Sequence, residues 1–120
     1  MKPEFEEVFA ALKAIMKRHE RTLKVLKDEP AEYTLATKSN SNRGMPMWFG
    51  SVRAGKAYVS FHLMPLYFNP AMNAMVPPEL KKRMQGKTCF NFRAVDKERF
   101  EELEALTQAG LDSWRKLELL

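Results

Sequence analysis

The residues best able to do chemistry are Trp48, Tyr58, Ser60 and His62, joined further along by Asn91 and Arg93. Aromatic rings with a few convergent polar groups describe a small-ligand pocket. Arg93 has the planar fork that holds a carboxylate or phosphate. Asn91 suits an amide or a carbonyl, and a small anion is the ligand to expect. Catalysis fits less well. Ser60 and His62, two residues apart on a strand, keep their Cβ atoms about 7 Å apart, and no acidic residue nearby in sequence orients His62. No nucleophile, base and orienter assemble, so the sequence leans against an enzyme without deciding the question. The same residues suit two plainer roles: packing beneath the Pro65–Pro78 segment, or a homodimer surface, for which Trp, Tyr, Met and Arg are typical.

Other motifs carry less. Gly50-Ser-Val-Arg-Ala-Gly-Lys-Ala57 nearly spells a phosphate-binding loop, but Tyr-Val-Ser-Phe-His-Leu follows with the period of a strand. Such a loop needs a helix there, and Ala57 lacks the hydroxyl that would meet magnesium. Lys56-Ala-Tyr-Val-Ser-Phe61 echoes the aromatic strand of an RNA-binding RRM, two residues short and in the wrong element order. His19, His62 and Cys89 fall on separate elements, and the methionine pairs Met45/Met47 and Met72/Met75 suit gap filling better than soft-metal ligation. The Asp96–Glu104 carboxylates read as a solvated helix face. No cofactor or metal is expected.

Placing these residues requires strands and covering helices. Gly55 signals a hairpin. A three-residue loop, Arg53–Gly55, sets Val52 opposite Lys56, Gly50 opposite Tyr58 and Trp48 opposite Ser60. Met47, Phe49, Ala57, Val59, Phe61 and Leu63 then share the apolar face, and Trp48, Tyr58, Ser60 and His62 the other. Tyr33–Ser39 reads as a strand, Asn40–Pro46 as a loop, and residues 57–63 and 88–95 as alternating strands. Phe5, Val8, Phe9, Leu12, Ile15, Met16, His19, Leu23 and Leu26 recur at helical spacing, predicting a first helix over residues 3–28. Pro78 opens a short helix, 79–84, that Gly86 closes. Asp96 caps a last helix in which Gly110 introduces a bend or a break.

These elements make one α+β domain over residues 1–120. It has two layers: a mainly antiparallel sheet of about four to five strands, with the N- and C-terminal helices on one face. The 120 residues suffice for a core without staples. A single cysteine excludes an internal disulfide and points to the reducing cytoplasm. The acidic start is unlike a signal peptide, and no run of about 20 apolar residues exists to span a membrane. The net charge is +5. Its densest focus, Lys13, Lys17, Arg18, Arg21, Lys24 and Lys27, wraps round a helix instead of forming a stripe, so nucleic acid is not an expected partner.

Phe49-Gly-Ser-Val-Arg-Ala-Gly-Lys-Ala-Tyr-Val-Ser-Phe-His-Leu63, followed by Pro78-Glu-Leu-Lys-Lys-Arg-Met-Gln-Gly-Lys-Thr-Cys-Phe-Asn-Phe92, resembles the YdhG-like bacterial domains of unknown function. The resemblance spans roughly residues 30–118 and rests on Lys56, Tyr58, His62, Gly86, Lys87, Phe90 and Phe92, to which the family assigns no role. It implies a small cytosolic α+β domain, one branch of which is linked to frataxin-like iron handling. The sequence therefore leads to a ligand-binding or regulatory module using Trp48, Tyr58, Ser60, His62, Asn91 and Arg93. Its alternatives are a homodimerisation or protein-interaction module and an iron-handling protein.

Overall fold

The computed structural model describes residues 2–40 and 43–120; Met1, and Ser41 and Asn42 of the expected 40–46 loop, lie outside the described residues. Helix α1 (Pro3–Lys17) opens on Pro3 with Glu4 and Glu6 at the positive end of its dipole. Strands β1 (Lys24–Glu29), β2 (Glu32–Ala36), β3 (Trp48–Ala54) and β4 (Val59–Leu63) follow as an antiparallel meander. Next come α2 (Pro65–Phe68), a 3-10 turn (Pro70–Met75) and α3 (Pro78–Lys81). The chain ends with β5 (Met84–Gln85), β6 (Cys89–Phe92) and α4 (Lys97–Lys116). The sheet order is β1-β2-β3-β4-β6-β5.

The helices cover one face of this sheet, as expected. Phe49, Val59, Phe61, Phe90 and Phe92 are buried beneath them. Phe92 meets Phe100 edge-on at 4.9 Å, and Trp114 meets Phe49 at 5.5 Å, fastening α4 to the sheet. Asp96 caps α4 through its side chain, which accepts from the Arg99 N–H at 3.3 Å. Among the described residues no helix is long and apolar enough to cross a membrane.

Several expectations need correction. The sheet has six strands, not four or five. The first helix ends at Lys17, and residues 24–29 form edge strand β1. Bonds from His19, Glu20 and Thr22 N–H groups to carbonyls three residues back tighten the chain after Lys17. Leu23 plugs the core, and Pro30-Ala31 turns β1 back onto β2. A β2 partner satisfies backbone groups along residues 24–29, and Lys13 pins Asp28 to α1 at 2.7 Å. Residues 93–95 leave the sheet, while Met84–Gln85 of the expected short helix form β5. Gly86, at φ +76°, turns β5 into β6. Gly110 does not break α4, which runs continuously from Lys97 to Lys116; it lets Pro65 approach, since a Cβ there would lie 3.0 Å from Pro65 Cγ.

The hairpin register also differs. Ala54 pairs with Val59, Val52 with Phe61 and Gly50 with Leu63, so Gly55–Tyr58 is the loop. The β2 partner of Leu35 is Gly50 and that of Ala36 is Trp48, leaving Phe49 as the extra residue of a bulge. Phe49 and Val52, three residues apart, are both fully buried. An unbroken strand would send them to opposite faces; the bulge reconciles them and turns Trp48, Ser51 and Arg53 to the face opposite the helices.

Candidate functional site

The open face carries two polar groups with His62 between them. In the first, Glu32 at the start of β2 faces Arg53 on β3. Its Oε1 accepts from Arg53 Nε at 3.2 Å and Nη2 at 3.0 Å, and Lys27 Nζ lies 3.3 Å from its Oε2. These cations, Arg53 foremost, hold the Glu32 carboxyl below its ordinary range. Thr34 Oγ1 donates to Glu32 Oε2 at 3.4 Å and lies 3.0 Å from Ser51 Oγ.

The second group is built by β4 and β6. Leu63 N–H donates to the Thr88 carbonyl, so the next pairs, His62/Cys89 and, two further, Ser60/Asn91, are the closely spaced, non-hydrogen-bonded kind. Asn91 Oδ1 accepts from Ser60 Oγ at 3.0 Å and Cys89 Sγ at 3.2 Å, while its Nδ2 donates to Gln85 at 2.7 Å. Burial pushes the Cys89 thiol up, against nucleophilic use.

Between the groups lies a cavity of about 240 Å³ whose lining includes Glu32, Trp48, Ser51, Arg53, His62, Met64 and Thr88. Trp48 is 55% exposed and Met64 half-buried, giving the cavity apolar walls. The His62 ring and the Thr88 hydroxyl make no hydrogen bond among the described residues. Burial, reinforced by Arg53, lowers the His62 pKa and keeps the imidazole neutral at pH 7.

Of the sequence-predicted site residues, the fold brings together Trp48 and His62 at the cavity, with Ser60 and Asn91 beside it. It does not bring in Tyr58 or Arg93. Tyr58 is in the hairpin loop, where its carbonyl accepts the Gly55 N–H. Arg93 is exposed past the end of β6 and borders a separate depression with Arg83, Asp96 and Lys97. Asn91 spends its carbonyl oxygen on Ser60 and Cys89 and one amide N–H on Gln85. Nor does the Tyr67–Val76 segment close over this face. Pro65 turns the chain towards α4, where Phe68 meets Trp114 at 5.8 Å and Asn69 Nδ2 donates to Ser113 Oγ at 3.1 Å.

Sequence reasoning missed Glu32, Ser51, Arg53, Met64 and Thr88. The available signal was apolar matching across the hairpin: Val52 against Phe61 and Ala54 against Val59 put Ser51 and Arg53 beside His62 and Ser60. On α4, Arg99 pairs with Glu98 and Glu102, and Arg18 holds Glu104 at 2.6 Å. No three His, Cys, Asp or Glu side chains among the described residues converge as metal ligands.

The histidines set one expected outcome. His62 and His19 both have folded pKa values below the ordinary 6.5, each chiefly through burial. The unfolded chain then binds the additional protons, so stability is complete above pH 6.5 and declines as pH falls through it towards the folded values. Urea midpoints should fall from pH 7.5 to 5.5, and a His19→Gln/His62→Gln double variant should flatten that slope. An unchanged slope in the double variant would refute the assignment.

Compared with protein families, curated proteins and solved structures, the chain matches none.

Proposed function

We propose that the protein is a small-ligand-binding module, regulatory rather than catalytic, whose site is the Trp48/His62 cavity on the open sheet face. One observation carries this reading: an exposed indole and an unbonded neutral imidazole share a cavity walled by hydroxyls and an ion pair. Side chains serving only stability have no need of that combination, because an exposed Trp48 contributes little burial. A screen of small molecules by thermal shift tests it. A hit should raise the melting temperature of the wild type and lose its effect on Trp48→Ala, whose own melting in buffer stays close to wild type. Hits indifferent to Trp48→Ala would overturn the reading.

The exposed Trp48 also favours a second reading, self-association through the same face. Sedimentation separates the two. A wild-type dimer converted to monomer by Trp48→Ala would assign the face to a second copy instead of a ligand.

A further inference from the structure

We propose that the ligand of this cavity is a planar aromatic carboxylate, an inference that rests on the open-face binding reading above. The argument is a count of donors and acceptors. Glu32 is the acid at the cavity, and both its oxygens are taken: Oε1 by two Arg53 N–H groups, Oε2 by Thr34 and Lys27. It has nothing left for a cationic ligand. Arg53 donates two of its five N–H groups to Glu32 and keeps three, on a side chain 64% exposed. Thr88 and His62 add a hydroxyl and a ring N–H that make no hydrogen bond among the described residues.

Arg53 is the cation of the cavity lining, and its outer N–H groups, which make no bond among the described residues, suit a carboxylate with directed, charge-assisted bonds. The remaining walls set the body of the ligand. Trp48 offers a flat face and Met64 a polarisable thioether, both suited to a ring. A volume of about 240 Å³ limits that ring to one, with its carboxylate turned towards Arg53.

Benzoate is the probe, titrated into the full chain by calorimetry and by the fluorescence of Trp48. Benzamide removes its charge, cyclohexanecarboxylate its aromaticity, and benzylamine reverses its sign. Benzoate should bind at least about tenfold tighter than any of the three, the effect of one charge-assisted contact or one stacked ring. Arg53→Gln should reduce benzoate to the level of benzamide, and Trp48→Phe should retain binding that Trp48→Ala loses. Both positions are exposed, and circular dichroism checks that the variants fold. Benzamide or benzylamine binding as well as benzoate would overturn the carboxylate, and equal binding of cyclohexanecarboxylate the aromatic ring. If another molecule binds through Trp48 and benzoate does not, the ligand class falls and the binding module stands. If nothing binds in a Trp48-dependent way, both fall.

Discussion

Trp114→Ala is expected to lower the free energy of unfolding by about 3–5 kcal/mol, the largest single-residue effect we anticipate. Trp114 is fully buried in α4 and meets Phe49 on β3 and Phe68 on α2 edge-on, at 5.5 and 5.8 Å. Truncation removes the side chain that joins sheet, long helix and the 65–76 segment, and leaves a void between three elements that cannot collapse independently. Urea unfolding measures it; a loss under about 1 kcal/mol would contradict this role. Trp114→Phe should cost much less. The indole Nε1 is buried without a hydrogen-bond acceptor among the described residues. An unmet buried donor costs about 1–3 kcal/mol, which phenylalanine does not incur, so this gain offsets part of the lost volume.

Gly50→Ala should destabilise by about 1–3 kcal/mol, although alanine is normally better than glycine in a strand. Gly50 lies between Leu35 and Leu63 at the centre of the sheet. A Cβ there would run into the Met16 methyl, approach Met16 Sδ to 2.8 Å and lie 2.9 Å from the His62 carbonyl oxygen. The methionine can swing aside, but the carbonyl belongs to the β3–β4 pairing. A double-mutant cycle separates the two obstacles. In a Met16→Ala background the cost of Gly50→Ala should shrink without vanishing, because the His62 carbonyl stays in place. Strict additivity would show that Met16 is no obstacle. Since Gly50 adjoins Trp48, Ser51 and His62, α1 packing and the open-face cavity share this one position.

Local pattern alone determined the layers. Alternation in Val59–Leu63 and Cys89–Phe92 marks which residues face the helices, and helical spacing in α1 and α4 marks what covers them. Asp96 as cap and Pro3 as first helical residue were also legible, because capping and φ preferences act within a few residues. Those same signals placed Trp48, Ser60, His62 and Asn91 on the face away from the helices.

What the tertiary structure decided is non-local. Residues 18–28 continue a helical spacing well enough to be mistaken for helix, and become turn and strand because β2 offers them a partner. The Phe49 bulge depends on two core positions three residues apart, both wanted by the helices on the far side of β3. That bulge, with the hairpin register, brings Arg53 to Glu32 and His62 to Ser51, and leaves Tyr58 in a loop. Periodicity reports which face a side chain takes but not which residue stands opposite it. The cavity exists only through such cross-strand pairings, and they follow from how the whole core fills its volume.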